Sequence, residues 1–307
     1  MTGLPRSRKG TRGRVGPLEL SVVLACVLCL VAGVDMVSSG AGTRVLGTHP
    51  LDVTPVNDTT APKGPRVHML LAGGSEAETL GWGLTVDGPK WGVDMKDYAL
   101  VGCGVTRATP IDYGGVRSPT QPYCQDWPQT YAHDVAVFHP KVSLLLVGRW
   151  ESADAYWDGH WTDIEHPGYA AYVASQLELA VKVLSAGGAK VALLTAPYTA
   201  WKTEPFEPPG TECSPGCNRH FSENDPNRIN RFNQILAGVA AKFPGTATLI
   251  DFGAHVDPGG KYSEYIDGVQ VRDADGIHFT IPAGGEWVAP WLYPKLLAMI
   301  APGNQPG

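Results

Sequence analysis

Leu70-Leu71-Ala72-Gly73-Gly74-Ser75-Glu76-Ala77-Glu78-Thr79-Leu80 is the stretch whose reading decides the fold. Val67 to Leu71 is a short apolar run that ends in small residues, which reads as a buried strand. Gly73-Gly74 stops that strand, and Ser75 opens a segment expected to be helical. A strand passing through a tight turn into a helix is the repeating unit of an α/β protein. A Ser at such a turn exposes its hydroxyl, and its backbone N–H lies at a helix start, where donors are free to meet an anion. The plainer alternative is a helix cap, a common role for Ser.

Working outward, the same grammar recurs. Asp97–Val101 reads as a second strand, ending in Gly102-Cys103-Gly104. Val142–Val147 is the strongest strand and ends at Gly148; Val191–Thr195 and Thr248–Phe252 are a fourth and a fifth. Val173, Leu177, Ala180, Val181 and Leu184 recur at helical spacing within 168–186, as do Ile229, Phe232, Leu236 and Val239 within 227–243. A last helix is expected over 286–300. Strands alternating with helices imply a parallel sheet covered on both faces. In such sheets the chemistry sits at the carboxyl ends of the strands, where Ser75, Gly104 and Gly148 fall. Four Pro- and Gly-rich stretches, 106–130, 152–167, 198–226 and 253–274, are long enough to be expected to shape a substrate cleft.

Beyond the last strand stands Asp273-Ala274-Asp275-Gly276-Ile277-His278-Phe279-Thr280. Asp275 and His278 are three residues apart across a Gly. That spacing lets the carboxylate hold one imidazole nitrogen while the other faces a Ser hydroxyl, so that His takes the proton and Asp stabilises the imidazolium. A turn, or half of a metal site, would use the same residues.

The ordered blocks Ser75, Gly102-Cys103-Gly104-Val105, Gly148-Arg149-Trp150-Glu151 and Asp275-Gly276-Ile277-His278-Phe279-Thr280 resemble the SGNH (GDSL-like) hydrolase superfamily, and within it the SGNH domains associated with actinobacterial acyltransferase proteins. The resemblance spans about 65–300. It implies a three-layer α/β/α, flavodoxin-like fold with a central parallel sheet of about five strands. It implies Ser75 as nucleophile, His278 as general base and then acid, and Asp275 as the group orienting His278. The oxyanion hole would use the amides of Ser75 and Gly104, with Gly102 the alternative to Gly104.

Two departures from the family pattern stand out. Gly74 replaces the Asp that usually precedes the Ser, and is expected to loosen the Ser loop. Trp150 occupies the place of an Asn that donates to the oxyanion; an oxyanion donor is typically worth about 10²–10³ in rate. Either the Trp150 indole N–H or Arg149 substitutes, or the site is slow. Arg149, Trp150 and Glu151 are read as substrate contacts, with Trp150 stacking on a sugar ring and a plain salt bridge between Arg149 and Glu151 as the alternative. Trp82, Trp91, Trp127, Trp157 and Trp161 are further stacking candidates, each equally readable as packing.

The whole chain sets the context. Its 307 residues, 43% hydrophobic and 18% charged, suit one globular domain of about 240 residues plus a tail. A net charge of −6 excludes nucleic acid as a partner, since phosphate binding needs clustered Lys and Arg. Residues 1–17 carry Arg6, Arg8, Lys9, Arg12 and Arg14 without an acid, and the apolar run 18–37 follows. That is an export signal: either a transmembrane anchor leaving 1–17 in the cytoplasm, or a signal peptide cleaved near 38–41. Only residues 20–34 are free of charge, short for a spanning helix. Residues 38–64 read as a linker, and 65–302 as the SGNH-like domain.

Of six cysteines, Cys26 and Cys29 lie in the apolar run. Cys103 and Cys124 form one local pair, Cys213 and Cys217 another, and in an exported domain such pairs read as disulfides. A four-Cys zinc site is the rival, but neither pair has the two-residue spacing such sites use. A Cys103–Cys124 bridge would close a loop of about 22 residues, worth roughly 3 kcal/mol in the chain-entropy model. No cofactor and no metal is expected. The expected partners are an envelope glycan or glycolipid substrate, the membrane through the N-terminal segment, and a separate membrane acyltransferase.

Overall fold

The computed structural model describes Pro62, residues 64–201 and residues 221–302. The basic and apolar N-terminal segments and almost all of the linker lie outside the described residues. No helix among the described residues is long and apolar enough to cross a membrane.

In chain order the strands are β1 (Val67–Gly73), β2 (Val93–Asp97), β3 (Ile111–Tyr113), β4 (Val116–Ser118), β5 (Val142–Leu146), β6 (Asp154–Trp157), β7 (His160–Thr162), β8 (Lys190–Leu194), β9 (Ala247–Ile250), and the short hairpin pair β10 (Tyr265–Ile266) and β11 (Val269–Gln270). The helices are α1 (Ser75–Asp87), α2 (Trp127–Phe138), α3 (Arg149–Ser152), α4 (Pro167–Leu184), α5 (Pro226–Ala241), α6 (Phe252–Val256) and α7 (Ala289–Ala298). Five strands form an all-parallel sheet in the order β2-β1-β5-β8-β9. Counting only these strands along the chain, the order is 2-1-3-4-5, the flavodoxin-like winding. Winding reverses between β1 and β5, and a crevice opens at the carboxyl ends of those two strands.

Side chains alternate along a strand, so each strand feeds two cores. Leu70, Ala72, Leu145 and Leu193 pack with Trp127, Tyr131, Val173, Leu177, Phe232 and Leu236 of α2, α4 and α5. Met69, Leu71, Leu144, Leu146, Ala192 and Leu194 pack with Leu80, Leu84, Phe252, Leu292 and Leu296 of α1, α6 and α7. Burial on both faces explains why these strands read as continuous apolar runs rather than alternating ones. The helices follow the spacing of the sequence: Val173, Leu177, Ala180, Val181 and Leu184 of α4 are all buried, as are Ile229, Phe232, Leu236 and Val239 of α5.

Three elements differ from expectation. The second strand is Val93–Asp97, not 97–101; Gly92 turns the chain in a left-handed conformation (φ 71°) and Val93 and Met95 bury. The segment beyond it still follows β1, because the Tyr98 and Leu100 amides donate to Leu71 O (2.9 Å) and Gly73 O (2.8 Å). The last helix begins as a π-helix, Ala283–Val288, that runs into α7. Third, the stretches 106–130 and 152–167 are not merely loops. They supply a second, antiparallel sheet in the order β4-β3-β6-β7, with Ile111 opposite Ala155 and Trp157 opposite His160.

Of the two disulfides expected, the one among the described residues joins Cys103 to Cys124, Cα–Cα 5.3 Å. It ties the segment after β2 to the approach to α2. The other expected bridge, from Cys213 to Cys217, falls on residues outside those described: neither Cys213 nor Cys217 is among them. Replacing Cys103 and Cys124 with Ser is expected to lower stability by about 3 kcal/mol through the entropy returned to the unfolded chain. Chemical denaturation under non-reducing conditions measures it.

Candidate active site

β1 delivers Ser75 by way of a backbone that only glycine fits. Gly73 has φ +149°, and a Cβ there would overlap the carbonyl of Leu146 on neighbouring β5. The chain therefore leaves the sheet sharply, and Ser75 becomes the first residue of α1 with its side chain at the crevice. Gly74 is extended (φ −93°), a conformation open to any residue. Space, not looseness, is what singles it out: a Cβ on Gly74 would lie 2.7 Å from the Cys103 carbonyl and 3.4 Å from Trp150 Nε1. The indole that stands in the family's Asn position fills the room beside the residue that stands in its Asp position, so the two departures are one substitution in space.

The Ser75 hydroxyl lies 2.9 Å from His278 Nε2, and His278 Nδ1 is hydrogen-bonded to Asp275 Oδ2. The other Asp275 oxygen accepts from the amides of Ile277 (2.8 Å) and His278 (3.0 Å). Gly276, φ +77°, makes this turn possible, since a Cβ there would overlap the Ala200 carbonyl. Burial pushes the Asp275 carboxyl up, but the hydrogen bond from His278 and the two amides outweigh it and hold it at about 2. An ionised carboxylate only accepts, so His278 Nδ1 carries the proton and Nε2 offers its lone pair to the Ser75 O–H. The depressed value also fixes a sign. Asp275 adds stability that is present above its ordinary value near 4 and is lost as pH falls through about 2. The stability difference between wild type and Asp275→Asn is therefore expected to be full at pH 6 and to close between pH 4 and 2, as read by urea midpoints.

The loops after β2 and β5 meet at Glu151. Its carboxylate is completely buried and accepts from the amides of Val105 (2.6 Å), Thr106 (3.2 Å) and Gly148 (2.9 Å). A Cβ on Gly104 would overlap this carboxylate, so the Gly102-Cys103-Gly104 loop lies directly against it. Glu151, expected to touch substrate, instead braces the loop that carries the Gly104 amide. Burial pushes its carboxyl up, against the pull of the amides it accepts from.

Arg149 is also placed beneath the cleft rather than in it, being 3% exposed. Its partner is not Glu151 but the buried Glu223, with Nη2 3.8 Å from Oε1. Its guanidinium lies 4.5 Å from the ring centre of Tyr113, 5.0 Å from that of Trp201 and 5.9 Å from that of Trp150. Tyr113 stacks on Trp150 at 4.5 Å and packs against Trp201 at 4.3 Å. Arg149 thus backs an aromatic wall.

The cleft, about 420 Å³, is lined among others by Ser75, Trp82, Tyr113, Trp201, Asp273 and His278. Trp82, 49% exposed, is the one tryptophan of the five further candidates that lines it. Trp127 is fully buried with its N–H on Val105 O, Trp91 packs beside Tyr293, Trp157 beside Tyr172, and Trp161 lies under Arg117. Tyr113 and Trp201 escaped the sequence reading. Trp201 follows β8, so the strand-end rule pointed to its neighbourhood; Tyr113 arrives on the second sheet, which carried no signal.

No family model matches the chain, and no curated protein does. Solved structures of similar fold include the periplasmic domain of a lipopolysaccharide acetyltransferase of Salmonella ser. Paratyphi A, at 13% identity over 78% of this chain and 87% of that one, TM-score 0.41. An acetylxylan esterase of Geobacillus stearothermophilus aligns at 13% identity over 80% and 98%, TM-score 0.41. TesA aligns at 18% identity over 76% and 99%, TM-score 0.41. The chain's own parallel sheet of five strands, with helices on both faces, is the three-layer arrangement expected from the SGNH resemblance.

Proposed function

We propose that the protein is an SGNH-type serine esterase or O-acyltransferase. It works outside the cytoplasmic membrane on acyl esters, foremost acetyl, of envelope glycans or glycolipids. The observation that carries this is the unbroken chain from Ser75 Oγ through His278 to Asp275 at the mouth of an aromatic-lined cleft. Ser75 Oγ attacks the ester carbonyl while His278 Nε2 takes its proton. The resulting oxyanion is held by the amides of Ser75 and Gly104 and by the Trp150 indole N–H, which has no hydrogen-bond partner among the described residues. Collapse breaks the ester C–O bond, and His278 returns the proton to the departing sugar oxygen. Water or a second sugar hydroxyl, deprotonated by His278, then attacks the acyl-serine and releases Ser75. The two acceptors differ only in this last step. Trp82, Tyr113 and Trp201 offer rings on which a sugar can stack. A membrane acyltransferase is the partner that would supply acyl groups or take up the product.

The test is turnover of acetylated mono- and oligosaccharides, following free acetate and acetylated acceptor together. Either product, lost in Ser75→Ala, supports the proposal; neither product from any acetylated sugar or activated ester counts against it. The packing of Trp150 against Gly74 favours one second reading, a glycan-binding module without turnover. Binding of polysaccharide unchanged by Ser75→Ala, with no acetate released, would support that instead.

A further inference from the structure

We infer that Thr79 is a positioning residue that sets the distance between Ser75 and His278. The inference rests on the catalytic reading above and deepens it.

The turn that carries His278 is a closed unit. Arg272 pairs with Phe279 in an antiparallel bridge, the Asp273 amide donates to His278 O (2.7 Å), and the Gly276 amide donates to Asp273 O (3.0 Å). The turn is also tied to the segment after β8 by the Ala200 amide on Gly276 O (2.9 Å) and to Asp257 through Arg272 (3.6 Å), and its seating on α1 is the contact nearest the imidazole. Among the described residues two hydrogen bonds join α1 to this turn. One is the Ser75–His278 contact itself. The other runs from the Phe279 amide to Thr79 Oγ1, 3.1 Å, and is buried. Thr79 is one helical turn beyond Ser75, and its hydroxyl proton goes back to Ser75 O at 3.0 Å, with Glu76 O at 3.3 Å. One hydroxyl therefore touches the backbone of the nucleophile and the backbone of the residue next to the base. Among the described residues Thr79 Oγ1 accepts from no group other than the Phe279 amide. Further along α1 the same interface is held by backbone: a Cβ on Gly83 would lie 2.6 Å from the Gly285 amide, and one on Gly284 would lie 2.6 Å from Leu80 O. Those contacts fix how close the π-helix approaches. Among the described residues, Thr79 supplies the one hydrogen bond to this turn, besides the Ser75–His278 contact, within one turn of Ser75.

Thr79→Val keeps the shape and removes the hydroxyl, whereas Thr79→Ser keeps the hydroxyl. With p-nitrophenyl acetate as probe, kcat of Thr79→Val is expected to fall about 10- to 100-fold with KM within about threefold, since misplacement near 1 Å costs on that order. Thr79→Ser is expected to stay within about threefold of wild type. Crystal structures of both variants give a readout independent of turnover: Ser75 Oγ and His278 Nε2 move apart beyond hydrogen-bond reach in Thr79→Val and stay in contact in Thr79→Ser. Unchanged separation and unchanged kcat in folded Thr79→Val would overturn the inference, as would a rate loss matching only the unfolded fraction in a melt. A wild type inert towards every ester would sink the catalytic reading alone, leaving the crystallographic distance to decide the positioning role.

Discussion

Ser75→Ala is expected to lower kcat for ester turnover by about 10⁴- to 10⁶-fold while the protein folds as before. The rate falls because the acyl-enzyme route is closed; what remains is catalysis by the oxyanion donors and by binding, on the order of 10³ over water. Folding is spared because, among the described residues, the Ser75 hydroxyl bonds only to His278, and it is not sealed in the core. No buried donor is orphaned, so the thermal midpoint should hold. His278→Ala should cost about as much, and the double variant little more, because the two act as one unit. Additive losses would mean that the residues act separately.

Glu151→Ala is expected to remove stability and activity together. Three buried amides, of Val105, Thr106 and Gly148, would lose their acceptor. Each stranded donor costs about 1–3 kcal/mol, so the sum approaches the whole net stability of an ordinary domain, about 5–15 kcal/mol. Glu151→Gln keeps one acceptor oxygen but turns an amide N–H₂ toward a donor, so it should fall between wild type and Ala. The loop that relaxes is the one carrying the Gly104 amide. Folded Glu151→Gln should therefore lose kcat by about 10- to 100-fold, short of the roughly 10²–10³ that full loss of an oxyanion donor costs, with KM less affected. Denaturant titration and steady-state kinetics on the same sample separate the two losses. A stable Glu151→Ala with normal kcat would show that the brace does not matter.

What could be read from the sequence follows from how local each signal is. β1, β5 and β8 were legible because both of their faces are buried, which writes itself as an apolar run; β9, at the other sheet edge, buries only Ile250 and was legible from its short Thr-Leu-Ile run. β2 lies at the sheet edge, its Lys96 exposed, so the apolar Tyr98–Val101 just beyond it drew the reading downstream. The second sheet was illegible: its strands are three or four residues long, and Ile111 finds its partner Ala155 only through tertiary pairing. At the site, the hydrogen-bonded juxtaposition of Ser75, His278 and Asp275 was legible from a strand-end Ser and a short Asp-x-x-His spacing. The contacts of Glu151, Arg149 and Thr79 were not legible. Each is defined by partners far away in the chain, the amides of Val105 and Thr106, the carboxylate of Glu223 and the amide of Phe279. Gly74 and Trp150, two separate oddities in sequence, become a single packing solution once β1 and β5 lie side by side.

Ser75 is proposed to be a nucleophile activated by His278 and Asp275. The most direct test of this role is labelling with a fluorophosphonate followed by peptide mapping. One adduct is expected, on Ser75, formed far more slowly in His278→Ala. No adduct under conditions that label a control serine esterase, or an adduct on another residue with Ser75 unmodified, would contradict it.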